Sequence, residues 1–267
     1  MQSSNPVLTR LGENARQQRR SGGFGASPDL GTYDVSPVQA ERQRLMTLDD
    51  VVVRTIGLLV LTGIAGAASW TLLPDGPVLT LALLGSVIAG LVLGLVISFR
   101  QITNPFVIGV YAVTQGVLLG VVSRYFEMRY PGIVIQAVVG TFGVFFGMAA
   151  LYKFRVLRAT PKFARFVLGA LIGVVALMLV SFVLSLFGIN LGIRAGATGQ
   201  VGALPIIFSL VVIAVGALTF ILDFDLIEKS VQYGMPEKFA WYCAFGLLVG
   251  LIFLYWEILR LLSYLRR

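Results

Sequence analysis

The sequence predicts an all-α, polytopic membrane protein with seven transmembrane helices, and three observations carry that prediction. Of 267 residues, 57% are hydrophobic and only 13% are charged, about half the charge that a water-facing domain carries. The mean hydropathy is +0.87. The charges are also segregated. Stretches without Asp, Glu, Lys or Arg run 55–74, 76–99, 101–123, 130–152, 166–193, 195–222 and 239–256, each about as long as the ~20 apolar residues that cross a bilayer as a helix.

The elements follow in order. Residues 1–50 are rich in Gly, Ser, Pro, Gln and Arg, with few large apolar side chains, and cannot bury enough surface to offset the entropy of ordering. This segment is expected to be a disordered cytoplasmic tail, leaving 51–267 as the membrane domain. It is not a signal peptide, because the apolar run begins only after Arg54. Thr47 is placed to N-cap a helix, with Asp49 and Asp50 in its first turn.

Helices are then expected at about 52–73, 78–99, 104–124, 132–153, 165–187, 203–223 and 238–264. Pro74-Asp75-Gly76-Pro77 makes a tight turn between the first two. The fifth and sixth are joined by a longer Gly-rich loop, Gly188 to Gly202. Small-residue pairs at i, i+4 (Gly90/Gly94, Gly116/Gly120, Gly143/Gly147, Gly169/Gly173, Gly246/Gly250) are expected to pack helix against helix within one bundle.

Basic residues set the orientation. Fifteen Lys and Arg flank the helices on the side of the N-terminus and six lie on the other side, so the positive-inside bias predicts a cytoplasmic N-terminus. The net charge of +8 reads as a lipid-facing topology signal, not as a nucleic-acid surface.

The missing residue types narrow the chemistry. The chain has no histidine, which removes Ser–His and Cys–His nucleophiles, the usual zinc ligands and haem ligation by histidine. The single cysteine, Cys243, lies in an apolar run and reads as a buried thiol. No Gly-x-Gly-Asp protease motif is present, and the last helix has no interior lysine to carry retinal. The expectation is a non-enzyme without a cofactor.

Acidic residues inside or ending the spans are costly in lipid and mark candidate sites. After the first helix three stand out: Asp223, Asp225 and Glu257. At 100° per residue Asp223 shares a face with Ile227, whereas Asp225 aligns with Glu228 and Lys229. Asp225 therefore reads as an i, i+4 partner of Lys229 and Asp223 as the acid that points into the bundle. Glu257 follows eighteen uncharged residues. It reads either as an i, i+3 partner of Arg260 or as a carboxylate inside the bundle beside another carboxylate.

These residues bring a resemblance into view. The run Ile221 to Ile227, followed by Leu254-Tyr255-Trp256-Glu257-Ile258-Leu259, is similar to the last two helices of the transmembrane Bax inhibitor motif family (Bax inhibitor-1 family). Phe99-Arg100 through Val110-Tyr111-Ala112 resembles that family's basic-residue pattern. The likeness covers about 45–267 and suggests a bacterial-type member of the plasma membrane. It implies a central C-terminal helix wrapped by six others, and a pH-sensitive Ca²⁺ leak channel. Asp223 and Glu257 would be a carboxylate pair sharing a proton, with transient Ca²⁺ between them, and Arg100 a basic latch on Asp223. Glu257 stands where Asp is usual in the family, and Leu222 where Tyr is frequent. The alternative function is a regulatory membrane protein that binds a membrane protease or a stress-response partner through its Arg-rich tail. A secondary transporter ranks below both, since the two halves show no repeat of broken helices.

Overall fold

The computed structural model describes residues 44–74, 76–189, 191–193 and 202–266. Among them are seven helices: α1 (Leu48–Leu72), α2 (Pro77–Arg100), α3 (Pro105–Arg129), α4 (Ile133–Lys153), α5 (Pro161–Leu186), α6 (Ala203–Gln232) and α7 (Phe239–Leu265). All seven are long and apolar enough to cross a membrane. Most of the tail, together with Asp75 and most of the Gly-rich loop, lies outside the described residues.

Local chemistry sets the helix ends. Thr47 caps α1 as expected: Asp50 N–H donates to its hydroxyl at 3.2 Å, and Asp50 accepts from Thr47 N–H at 2.9 Å, a reciprocal capping box. Pro sits at the start of α2, α3 and α5, where its missing N–H costs nothing. Asn104 and Thr160 cap α3 and α5 through side-chain oxygens.

The first and fifth helices begin four residues before their expected starts, and two helix ends differ more. The helix expected to end at 223 continues to Gln232, because its charges are satisfied on or beside the helix. Lys229 donates to Asp225 at 2.6 Å, and the Tyr152 hydroxyl of α4 donates to Glu228. The third helix continues to Arg129 because Glu127 accepts from the N–H groups of Gly132 (2.5 Å) and Val134 (3.1 Å), which fixes the turn into α4. Glu127 and Glu228 thus join the acids that lie within spans.

Residues 44–50, assigned to the tail, are ordered. Met46 N–H donates to Met235 carbonyl (2.9 Å) and Glu237 N–H to Arg44 carbonyl (2.8 Å), a two-residue antiparallel bridge onto the α6–α7 turn. Arg54 of α1 ties the same turn, donating to the Glu237 carboxylate at 2.5 Å and to its carbonyl. Its guanidinium also lies 5.3 Å from the Trp241 ring.

α7 is central, packing against α1, α3, α4 and α6. α2 is held mainly by α3 and shares a buried cluster with α7 through Ile97, Phe245 and Leu248, while the backbone of α5 comes close only to α6. Six helices therefore surround α7, α5 the least closely. The closest crossing is α1 on α3, where a Cβ at Gly116 or Gly120 would collide with backbone of Thr62 and Gly66. Not every small-residue pair packs in this way. Gly143, Gly147, Gly169 and Gly173 face open space, so these pairs play no part in holding the bundle.

Candidate functional site

Two aromatic contacts set the register of α6 against α7. Phe220 lies over Gly250, where an added Cβ would come 2.8 Å from the ring, and Phe253 lies over Gly216 in the same way at 3.0 Å. The hairpin is thereby fixed, and so is the level of each acid.

Asp223 is half-buried one turn from Phe220. It lines a recess of about 190 Å³ with Ser98 of α2 and Tyr242, Cys243, Gly246 and Val249 of α7. Among the described residues it forms no ion pair. A partly desolvated carboxylate without a fixed cationic partner is costly in a membrane. Its open side is therefore where a proton or a cation can be accommodated.

Glu257 is elsewhere. Gly246, on the recess, is three turns of α7 from Glu257, about 16 Å along the axis. Continuing the register from Phe220–Gly250 and Gly216–Phe253 sets Glu257 near the level of Val212, far along α6 from Asp223. Glu257 is only 2% exposed and accepts from Arg260 at 2.8 Å, so both readings of it hold in part: it is inside the bundle and it has its i, i+3 partner. The expected Asp223–Glu257 pair is not formed, and the two carboxylates cannot share one proton or one Ca²⁺. Among the described residues no group of three acidic or thiol side chains could hold a metal ion.

Arg100 is the last residue of α2 and is exposed. No ion pair joins it to Asp223, so the latch is not closed in this conformation. Ser98, on the preceding half-turn, reaches the recess instead. Its carbonyl accepts from the Tyr242 hydroxyl at a long 3.4 Å.

The end of the bundle near Glu257 is polar and held. Ser123 and Tyr255 share a buried hydroxyl–hydroxyl bond of 2.6 Å. Arg124 donates to Leu73 carbonyl at 2.8 Å, and Arg266 to Pro131 carbonyl and Gln136 at 2.7 and 2.8 Å. None of these contacts is local in sequence. Arg54 and Glu237, 183 positions apart, are a further pair that a reading along the chain had no means to join.

A model of the family described as Bax inhibitor 1 like matches residues 5–267. The chain belongs to that family. It is an integral membrane protein of the Bax inhibitor type, as the apolar helices require. A comparison with curated proteins finds no match. In this Bax inhibitor family member Asp223 is a recess carboxylate and Glu257 a buried carboxylate paired with Arg260, at different depths.

Proposed function

We propose that the protein is a pH-sensitive cation leak pathway, with Ca²⁺ as its substrate and Asp223 as the residue that admits the ion. One observation carries the reading. Asp225 is held by Lys229, Glu228 by Tyr152, Glu237 by Arg54 and Glu257 by Arg260, whereas Asp223 lines a recess without an ion pair among the described residues.

The mechanism follows from that contrast. Ionised, Asp223 offers a hard oxygen ligand, with the oxygens of Ser98 and Tyr242 on the same recess. One carboxylate falls far short of the six to eight oxygens of a tight Ca²⁺ site, which suits passage rather than storage. Protonated, it offers no charge. Inward of the recess, Phe220 over Gly250 and Phe253 over Gly216 close the α6/α7 seam, and the Glu257–Arg260 pair lies beyond. On this reading the conformation is the closed one, and conduction needs Phe220 to swing aside. The basic flanks support a cytoplasmic recess and N-terminus, and a bacterial plasma membrane is what the family resemblance suggests. The protein is then a conduit rather than an enzyme.

The experiment is Ca²⁺ flux in proteoliposomes. Wild-type flux is expected to rise with pH as Asp223 loses its proton. Asp223→Asn should lower flux several-fold and flatten that rise, while Phe220→Ala should raise basal leak. An unchanged pH profile in Asp223→Asn refutes the assignment.

A further inference from the structure

A slot separates α1 from α4. Their backbones do not come close to each other, and α6 with Leu247 of α7 floors the gap, a cavity of about 1090 Å³. Its walls are apolar: Val52 and Ile56 on α1, Phe142 and Phe146 on α4. Val52, Ile56 and Phe146 are 54%, 55% and 63% exposed. Its mouth is basic. Where α4 ends, Lys153, Arg155 and Arg158 line the slot, all three exposed and without an ion pair among the described residues.

The acids on the slot leave this mouth net positive: Asp225 is paired with Lys229, and Glu228, which accepts from the Tyr152 hydroxyl, sets one negative charge against three cations. Arg155 also sits in the left-handed region, φ 58°, just past the end of α4. Glycine takes that position without strain. The chain instead keeps a guanidinium there, at a backbone cost of order 1 kcal/mol.

We propose that this slot holds an anionic phospholipid, its acyl chain between α1 and α4 and its phosphate on Arg155 and Arg158. The slot is apolar at the depth of the spans and cationic at the helix ends, where headgroups lie. Guanidinium groups engage phosphate oxygens in pairs, with geometry that an ammonium lacks. A soluble anion would fill the mouth alone and leave four apolar wall residues uncovered. The lipid site stands independently of the cation pathway.

The test is native mass spectrometry of the full-length protein, purified in detergent and supplied with phosphatidylglycerol or phosphatidylcholine of matched chains. The wild type is expected to retain phosphatidylglycerol in roughly tenfold preference, and the double variant Arg155→Ala/Arg158→Ala to lose that preference. Val52→Trp, which fills the slot from an exposed wall and leaves the basic mouth intact, should displace the lipid. Lys238→Ala, an exposed cation at the same end of the bundle, should change nothing. Excess glycerol phosphate should not compete. Equal retention of both lipids overturns the proposal, as does a double variant that behaves like the wild type or retention by Val52→Trp. A loss in Lys238→Ala would mean diffuse surface attraction, and displacement by glycerol phosphate a free-phosphate site; either result also overturns it.

Discussion

Asp223 and Glu257 project from neighbouring helices but lie three helical turns apart in depth, one on an open recess and the other beside Arg260. Groups so far apart with no shared partner perturb the protein independently, to within about 0.5 kcal/mol. In flux measurements the effects of Asp223→Asn and Glu257→Gln should therefore add in the double variant. Glu257→Gln should chiefly lower thermal stability, by about 1–3 kcal/mol, since it strips the half-buried Arg260 guanidinium of a charge partner. If the double variant is no worse than the worse single one, the two carboxylates act as a unit after all.

The α1–α3 crossing makes a different prediction. A methyl at Gly120 meets the Gly66 carbonyl and the Ser69 hydroxyl, with no flexible apolar side chain to yield. Gly120→Ala should cost about 1–3 kcal/mol, read as a fall in melting temperature in detergent. Gly173→Ala, with nothing within 4 Å, should stay within about 0.5 kcal/mol of the wild type.

Arg54 and Glu237 have side chains only 13% and 32% exposed, so each depends on the other. Glu237→Gln is expected to destabilise by about 1–2 kcal/mol. Arg54→Met should do more, because it also gives up the contact over Trp241. A double-mutant cycle read by thermal unfolding should show coupling; strictly additive losses would mean the pair is incidental.

Cys243, the only cysteine, shares the recess with Asp223 and is 4% exposed. In the closed conformation a small methanethiosulfonate should modify it slowly. Raising the pH speeds labelling of any thiol by forming thiolate, so opening of the proposed pathway should show as a steeper rise in the wild type than in Asp223→Asn, and the attached group should block Ca²⁺ flux. The same pH dependence in both proteins would dissociate the recess from conduction.

The seven helices were legible because each uncharged run is about as long as a bilayer is thick, and the Thr47 cap because Asp49 and Asp50 follow it in the first turn. Asp225–Lys229 was legible from helical spacing, and spacing also offered Glu257–Arg260 as one of two readings of Glu257. The depth of Asp223 was not. Ending the sixth helix at 223 turns residues 224–237 into a long loop, which lets the two acids be drawn level. Once Lys229 and Tyr152 satisfy the charges that follow, the helix runs on to Gln232, the turn becomes short, and equal distances from it face each other. Asp223 then falls opposite Gly246. Contacts such as Tyr152–Glu228 and Arg54–Glu237 depend on which helices are neighbours, and no local pattern encodes that.

The bridge between Arg44–Met46 and Met235–Glu237 also has a consequence in time. During synthesis Arg54 enters the membrane with the first helix, and Glu237 is added 183 residues later. Throughout that interval the guanidinium faces water, lipid headgroups and the Asp50 carboxylate one turn away, so it holds α1 at the bilayer surface and biases which way the helix threads. Arrival of the last hairpin turns the same charge into an internal tie. A protein truncated before 237 would therefore keep its orientation but have no closure of the first helix on the last.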